Sequence, residues 1–280
     1  MKLGIALGRL DPRHFLECTL EGERLGYESV WLPEHLILPE TMSGSPHAGA
    51  AHPPIPPTTP VFDAFVQLAF LAAHTRRIRL GTGIFNIGLR HPFVTARAVQ
   101  TLDLVSGGRA EVGIGAGWLA EEWAATQLDF ASRGRRVDEC VAVCKRLWSE
   151  PRVAHRGEFF AFDEVVFEPK PVQRPWPPLL VGGESDAALR RAVRIGDGWL
   201  GMNHDFESGA ARIARLRALL GERQRDPAPF QICLGSPSPT RDEVHRWEDL
   251  GIDRLVVAPW KRSREALDGL RRLADELGAP

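Results

Sequence analysis

The sequence predicts a (β/α)8 barrel, and three observations point to this fold. Eight short apolar runs recur along the 280 residues, and each run is nearly continuous, as in strands of a parallel sheet that is covered by helices. Helical patterns separate the runs, and eight strand–helix units with right-handed crossovers close naturally into a barrel. No G-x-G-x-x-G motif follows the first run, which disfavours the competing doubly wound open sheet.

The predicted strands and helices alternate along the chain. Strands are predicted at Leu3–Leu7, Ser29–Leu32, Ile78–Phe85, Ala110–Gly115, Pro178–Val181, Gly198–Gly201, Phe230–Leu234 and Arg254–Ala258. Helices are predicted at Phe15–Leu25, Phe62–Thr75, Pro92–Leu104, Arg136–Trp148, Asp186–Ile195, Gly209–Leu220, Arg241–Leu250 and Ser263–Leu277. Gly26 follows the first helix and suits a left-handed C-terminal cap, and Pro92 suits the first turn of the third helix.

Two segments interrupt this alternation. Residues 37–60 are rich in Pro, Gly, Ser and His and lack periodicity, so we expect a long loop after the second strand, of the kind that forms lids or binding loops. Residues 152–171 predict a hairpin that turns at Arg156-Gly157 before the fifth strand. No linker or charge run divides the chain, and residues 1–280 are therefore expected to form one domain.

The composition excludes several classes of function. Lys and Arg together number 35 against 36 Asp and Glu, which gives a net charge of -1 and no basic excess for binding a nucleic-acid backbone. The four cysteines are few and scattered, which is typical of reduced cytosolic thiols. Neither a signal peptide nor a run of roughly 20 apolar residues is present, so we expect a soluble, cytoplasmic protein with no membrane partner.

No metal site is predicted. Cys140 and Cys144 lie one helical turn apart among apolar residues and indicate core packing, because no second pair of ligands has zinc spacing. His47 and His52 lie in the long loop, and no third ligand accompanies them in the sequence.

The residues that follow each strand are the candidates for chemistry, because barrel active sites lie at the carboxyl ends of the strands. Glu34 and His35 follow the second strand, where a carboxylate and an imidazole can exchange protons near neutral pH. The same pair could instead only orient the following loop. Arg133, Arg135 and Arg136 follow the fourth-strand segment, where a solvated surface is favoured over an anion-binding site, although one of the three could contact a cofactor tail.

Glycines mark three of the strand ends. Gly81 and Gly83 lie within the third strand and indicate either a bulge or the close approach of a planar ring to the backbone. GIGAGW (113–118) and VGGESD (181–186) lead from strands into helices, where exposed backbone N–H groups can cradle phosphate. Tight strand-to-helix turns without a ligand explain the same pattern.

Five segments carry a family resemblance across nearly the whole chain. They are ERLGYESVWLPEH (Glu23–His35), RIRLGTGIFNIGLRHP (Arg77–Pro92), TLDLVSGGRAEVGIGAGWLAEEW (Thr101–Trp123), EPKPVQRPWPPLLVGG (Glu168–Gly183) and ALRRAVRIGDGW (Ala188–Trp199). In this order and at these separations, the segments resemble the luciferase-like monooxygenase superfamily, and more closely its coenzyme F420-dependent oxidoreductase branch.

This resemblance implies a luciferase-like barrel with the ring of a flavin or deazaflavin at its mouth. In such proteins a bulge in the third strand, often with a non-proline cis peptide, backs the ring, and Gly83-Ile84 matches that position. His35 matches a histidine near the reactive face of the ring, and Glu34 takes the place of an acid that supports it. The cofactor phosphate is expected at the turns 115–118 and 182–183. The implied cofactor-binding residues are Gly83, Ile84, Asn86, Gly115, Ala116, Gly117, Trp118, Gly182 and Gly183.

One residue departs from the pattern of the sugar-phosphate dehydrogenases that this resemblance includes. Those enzymes carry a catalytic glutamate directly after the fourth-strand glycine turn, whereas this chain has Trp118 there. The difference disfavours a sugar-phosphate dehydrogenase, and we expect Trp118 to form a wall of the pocket instead.

The resemblance predicts an oxidoreductase that uses coenzyme F420 to transfer hydride to or from a small organic molecule, with His35 giving or taking a proton. An FMN-dependent monooxygenase is the first alternative. A barrel that binds the cofactor without turnover is the second. The third is an unrelated phosphate-binding lyase or isomerase, in which Lys261 after the eighth strand would be the catalytic residue. Resemblance to the family also favours a homodimer.

Overall fold

Eight parallel strands among the described residues close into a barrel, which confirms the fold predicted from the apolar runs. The structure is a computed structural model that describes residues 1–46 and 55–278. The strands are β1 (Lys2–Ala6), β2 (Ser29–Leu32), β3 (Arg79–Phe85), β4 (Ala110–Ile114), β5 (Val153–Arg156), β6 (Ala161–Val165), β7 (Leu179–Gly182), β8 (Gly198–Asn203), β9 (Gln231–Gly235) and β10 (Arg254–Val257). Around the barrel they follow the order β1-β10-β9-β8-β7-β4-β3-β2, and β5 and β6 form a separate hairpin.

Helices follow the barrel strands, and local sequence signals set their ends. They are α1 (Phe15–Leu25), α2 (Ala64–His74), α3 (Pro92–Ser106), α4 (Ala120–Ala125), α5 (Arg133–Ser149), α6 (Asp186–Ile195), α7 (Phe206–Glu222), α8 (Arg241–Asp249) and α9 (Ala266–Leu277). Gly26 adopts a left-handed conformation after α1, with φ of 90°, and Pro92 begins α3, so both predicted helix ends are confirmed. Within the described ranges, no helix has both the length and the apolar character needed to cross a bilayer.

Several helices differ from the prediction at their ends, by as many as three residues, and α5 begins at Arg133 rather than at the predicted Arg136. α4 is not predicted from the sequence, because its 6 residues are too few to show a period. α7 begins at Phe206 rather than at the predicted Gly209, because the side chain of Asp205 caps the helix by accepting a hydrogen bond from the amide of Ser208. Residues Ser263–Glu265 form a 3-10 turn ahead of α9 instead of its first turn.

The predicted hairpin before the fifth barrel strand is confirmed. β5 and β6 pair in antiparallel fashion, with Arg156 opposite Ala161. Within the turn, the amides of Phe159 and Phe160 each donate a hydrogen bond of 3.0 Å to the carboxylate of Glu139 on α5. These bonds tie the turn of the hairpin to α5.

A buried cluster of ion pairs lies toward the amino-terminal ends of the barrel strands. The guanidinium of Arg254, at the start of β10, is 1% exposed and donates to Glu28 and to Glu111, in each case at 2.8 Å. Arg79 donates to the same Glu111 at 2.6 Å. Because each carboxylate has a cationic partner, the charges are buried as pairs rather than singly. The candidate site lies at the opposite end of the barrel, at the carboxyl ends of the strands.

Candidate functional site

A cavity of about 700 Å³ opens at the carboxyl ends of the barrel strands, where a barrel active site is expected. Its floor is formed by apolar side chains that belong to the cluster inside the barrel or pack against it, namely Trp31, Ile84, Leu200 and Val256. The few polar side chains stand mainly after β2 and β3 and along α5 and α6. A mostly apolar cavity with a few converging polar groups is the usual form of a small-molecule site.

The residues that the family resemblance assigns to catalysis and cofactor binding all line this one cavity, whereas Lys261, the candidate of the lyase or isomerase alternative, is not part of its described lining. The lining includes Glu34, His35, Gly83, Ile84, Asn86, Gly115, Ala116, Gly117, Trp118, Gly182 and Gly183. His47 and His52, the two loop histidines considered as metal ligands, lie outside the described residues. The sequence therefore predicts which residues line this cavity, and their roles in catalysis and cofactor binding stay predictions.

The bulge predicted in the third strand is present and shapes the floor of the cavity. The pairing register between β3 and β4 shifts between Thr82 and Phe85, and the peptide bond between Gly83 and Ile84 is cis. Both features confirm what the family resemblance implies. The side chain of Ile84, within the bulge, lines the cavity.

Two of the glycines predicted to bind phosphate make room for Ile84. A Cβ atom on Gly182 would lie 2.6 Å from Cγ2 of Ile84, and one on Gly115 would overlap its Cδ1. Atoms in a close-packed interior do not approach so closely, so a side chain at either position would force Ile84 to shift. Contact between these glycines and a phosphate stays a prediction.

His35 lies in the wall of the cavity and is held by a carboxylate. Its Nδ1 is 3.1 Å from Oε2 of Glu122, whose side chain is fully buried. Its ring meets that of Trp118 edge to face, with the two centroids 5.9 Å apart and the planes at 88°. The predicted catalytic residue thus touches the predicted wall residue. Its Nε2 has no hydrogen-bond partner in the part of the chain that the structure describes.

Glu34 is adjacent to His35 in sequence but contacts a different group. Glu34 as a whole is 4% exposed. Its carboxylate pairs with the guanidinium of Arg90 and accepts a hydrogen bond of 3.3 Å from the amide of Asn86. Burial raises the pKa of Glu34, and Arg90 only partly offsets this effect. The expectation that Glu34 is the acid supporting His35 is therefore corrected, because Glu122 holds that place. A catalytic role for Glu34 itself stays a prediction.

Glu122 is the candidate residue that reasoning from the sequence misses. It lies on α4, which is too short to show a helical period, and 87 positions separate it from His35. Its Oε1 accepts from the amide of Leu36 at 2.6 Å, and its Oε2 accepts from Nδ2 of Asn86 at 3.1 Å. The signal that could have found it is the pair Glu121-Glu122, which follows the fourth-strand glycine turn.

Asn86 borders the cavity with one polar atom unsatisfied. Its Nδ2 donates to Glu122, whereas its Oδ1 has no hydrogen-bond partner among the described residues. A Cβ atom on Gly117 would lie 2.9 Å from this oxygen and equally close to the unpaired Nε1 of Trp123. Gly117 has a φ of 73°, a conformation that favours glycine. Because an unpaired buried polar atom costs free energy, the gap at Gly117 suits a bound polar group.

The side of the cavity formed by α5 and α6 suits an anion. α6 begins there after Gly183, whose φ is 116°, and the hydroxyl of Ser185 caps the helix by accepting a hydrogen bond of 3.2 Å from the amide of Ala188. Arg133 lines the same side, lies over the ring of Phe130 and donates a hydrogen bond of 3.0 Å to the carbonyl oxygen of that residue, and it has no carboxylate partner in residues 1–46 and 55–278. First-turn amides and a guanidinium without a carboxylate partner together form a favourable environment for phosphate.

The family model described as luciferase-like monooxygenase matches residues 4–276. The chain belongs to the luciferase-like monooxygenase family. One curated relative of this luciferase-like chain is an F420-dependent glucose-6-phosphate dehydrogenase of Kineococcus radiotolerans, 31% identical over 291 residues, with 99% of this chain and 80% of the relative covered.

Solved structures of similar proteins confirm the luciferase-like barrel. Monooxygenase RslO1 from Streptomyces bottropensis has a TM-score of 0.78 at 23% identity, with 99% of this chain and 98% of that chain covered. An F420-dependent secondary alcohol dehydrogenase in complex with an F420-acetone adduct has the same TM-score of 0.78 at 18% identity, with the same coverage of 99% and 98%. At these identities the two structures show the fold alone.

Membership of the luciferase-like family indicates an oxidoreductase or monooxygenase and makes a flavin or deazaflavin the candidate cofactor. The residues present fit such a group. The apolar floor at Ile84 suits a flat ring, the unsatisfied oxygen of Asn86 suits a ring or substrate donor, and the side near Arg133 suits a phosphate. No residue of the described lining carries a charge on the floor itself.

Proposed function

We propose that this chain is a coenzyme F420-dependent oxidoreductase that passes hydride to or from a small organic substrate. The observation that carries the proposal is the position of His35, whose unpaired Nε2 belongs to the wall of a mostly apolar cavity with an anion-binding side. When bound, the deazaflavin supplies a two-electron hydride carrier that does not activate oxygen. The relative that is named as F420-dependent supports this choice of cofactor.

In this proposal, different residues of the cavity support the ring, bind the phosphate and transfer the proton. Ile84 and Leu200 support the face of the ring and keep water away from it. The first-turn amides of α6 and the guanidinium of Arg133 hold the phosphate. His35 takes the proton of a substrate hydroxyl at Nε2 or returns it to a carbonyl oxygen. Because Trp118 and the floor are apolar, a small apolar alcohol or carbonyl compound is the expected substrate class.

An FMN-dependent monooxygenase is the second candidate function. The solved monooxygenase RslO1 shares the barrel over nearly the whole chain, with a TM-score of 0.78. The apolar floor and the anion side serve an isoalloxazine ring and its single phosphate equally well. Oxygen consumption in the presence of reduced FMN is the property that separates this candidate from the first.

Direct titration tests the proposed cofactor. The purified chain is titrated separately with coenzyme F420 and with FMN, and binding is followed by fluorescence quenching. We expect F420 to bind more tightly by at least about tenfold, which corresponds to about 1.4 kcal/mol. The reverse preference, together with oxygen consumption by reduced FMN, selects the monooxygenase. Binding of neither cofactor overturns both candidates.

Enlarging Gly115 is expected to weaken cofactor binding. In Gly115→Ala the added methyl group displaces Ile84 toward the cavity, an overpacking that costs about 1–3 kcal/mol. Since the overlap involves Cδ1, the second change Ile84→Val removes that atom and is expected to restore the affinity measured by titration. Gly182→Ala is the matched control, because the methyl group added there meets Cγ2 of Ile84. Valine retains this atom, so Ile84→Val should not restore the affinity of Gly182→Ala. Unchanged affinity in both single variants contradicts this packing argument.

Removing the guanidinium of Arg133 is expected to weaken the hold on the phosphate. A hydrogen bond to a charged group contributes about 1.5–3 kcal/mol, so Arg133→Leu should raise the Kd for the complete cofactor by about tenfold to a hundredfold. The Kd for a phosphate-free analogue should not change. Arg135→Leu is the matched control, because Arg135 pairs with Glu158 at 2.9 Å on the surface. If Arg133→Leu weakened binding of the complete cofactor and of the analogue equally, Arg133 would not contact the phosphate.

A further inference from the structure

Glu122 is a fully buried carboxylate that receives three hydrogen bonds beside the cavity. The donors come from two different loops: His35 Nδ1 and the amide of Leu36 after β2, and Nδ2 of Asn86 after β3. A buried charge is tolerated only when its oxygens are fully paired, and these three contacts supply that pairing. The carboxylate therefore joins the ends of three barrel strands, since α4 itself follows β4.

The partners of Glu122 determine where the proton of His35 lies. The amide of Leu36 can only donate, and an ionised carboxylate can only accept. Oε2 receives both His35 Nδ1, at 3.1 Å, and Asn86 Nδ2, at 3.1 Å. The imidazole nitrogen at this contact must then carry a hydrogen, which leaves the lone pair of the neutral ring on Nε2. The hydrogen-bond network thus assigns the tautomer of His35.

We propose that Glu122 is a positioning residue, which keeps His35 in the Nδ1–H tautomer and holds its Nε2 ready to accept a proton in the cavity. The catalytic part of this inference rests on the proposed function. When a substrate hydroxyl loses its proton to Nε2, the electron pair of the O–H bond stays on the oxygen, and the imidazolium that forms keeps Nδ1–H on the carboxylate. In the opposite direction the same proton returns from Nε2 to a carbonyl oxygen. Glu122 stabilises the charged ring in both cases.

Neighbouring carboxylates do not share this role. Glu34 is committed to Arg90 and to the amide of Asn86. Glu121, the preceding residue on α4, accepts instead from the amide of Ser43 at 2.9 Å, in the loop after β2. Glu121 therefore provides a matched control, since it is adjacent in sequence and also ties α4 to that loop without touching His35.

Replacing Glu122 by glutamine is expected to reverse the tautomer of His35. The amide of Leu36 cannot become an acceptor, so the side-chain oxygen of the glutamine must stay on that amide. Its NH2 group then takes the position of Oε2 and faces His35 Nδ1, which has to accept. Asn86 can adapt by rotating its amide so that its oxygen faces the glutamine.

The test is a long-range 1H–15N NMR measurement on the free full-length chain with 15N-labelled histidine, with the signals of His35 assigned from the spectrum of His35→Ala. We expect Nδ1–H in the wild type, Nε2–H in Glu122→Gln and Nδ1–H in the control Glu121→Gln. Nε2–H in the wild type, or an unchanged tautomer in Glu122→Gln, overturns the proposal. Because the wild-type spectrum is decisive by itself, the test stands even when the variant does not fold.

Kinetics of the loaded enzyme then test the catalytic part. With the tautomer reversed, Glu122→Gln should lower kcat by about tenfold to a hundredfold, with KM nearly unchanged and with a changed pH profile of kcat. Wild-type kcat in a variant with the reversed tautomer overturns the positioning role. The NMR result requires no cofactor, so failure of the proposed function, seen as an absence of F420 and FMN binding, is distinguishable from failure of this inference.

Discussion

Replacing His35 by alanine is expected to lower kcat by about 10²–10⁴-fold, the range typical for loss of a general acid–base group. The reason is the proposed role of His35: its Nδ1 contacts Glu122, and Nε2 is therefore the nitrogen that would exchange a proton with the substrate. Affinity for the cofactor should stay within about tenfold, because the floor at Ile84 and the anion side near Arg133 are untouched. Steady-state kinetics and cofactor titration on the same preparation measure both quantities.

His245→Ala serves as the control for the change of His35. The side chain of His245 is 57% exposed and lies 3.8 Å from Glu248, remote from the lining of the cavity. We expect wild-type kcat and KM for it. If His35→Ala retained wild-type turnover, His35 would have no part in the mechanism. If it lost the cofactor instead, its role would be one of binding.

Replacing Arg254 by methionine is expected to destabilise the chain by about 3–5 kcal/mol, the usual cost of breaking a buried ion pair by removing one partner. Methionine keeps most of the volume of the side chain but leaves Glu111 with Arg79 alone and Glu28 without its buried partner. Equilibrium unfolding in urea measures the loss as a lower midpoint. Arg135→Met breaks a surface pair with Glu158 and should cost only about 0–1 kcal/mol. Equal midpoints for Arg254→Met and Arg135→Met would contradict the stabilising role of the buried ion pairs.

The deficit of Arg254→Met is also expected to depend on pH. Burial is the largest single influence on Glu28 and disfavours its ionised form, but Arg254, with smaller contributions from Ser29 and Lys2, lowers the pKa of that carboxyl in the folded chain. A lowered folded pKa gives stability that is present above the unfolded pKa, near 4.3, and is lost as pH falls through the folded value. The wild type should thus lose this advantage in acid, and the difference between the two chains should shrink below about pH 4. A difference that is constant from neutral to acid pH contradicts this account.

Much of the barrel was predictable because its signals are local. Continuous apolar runs indicate strands that are buried on both faces, and a helix cap such as Gly26 depends only on its own backbone conformation. The position of the site was predictable for the same reason, since barrel topology brings the residues after each strand to one mouth. The bulge at Gly83-Ile84 followed from the family resemblance.

The contacts within the site were not predictable, because they join distant parts of the chain. Glu34 is next to His35 in sequence and was the natural partner, yet it pairs with Arg90, and the carboxylate on His35 comes from Glu122 in a helix of 6 residues. Similarly, a glycine pattern indicates either backbone N–H groups that are exposed to a ligand or room for a neighbouring side chain. Only the position of the Ile84 side chain shows that Gly115 and Gly182 provide space for it.

We propose that the ring of a deazaflavin or flavin binds in the cavity between Ile84 and His35. A crystal structure of the chain grown with saturating coenzyme F420 tests this proposal. We expect electron density for the ring on the apolar floor at Ile84, with the phosphate of the cofactor near the first turn of α6 and Arg133. Density for the cofactor outside this cavity, or an empty cavity at saturating coenzyme F420, would contradict the proposed binding site.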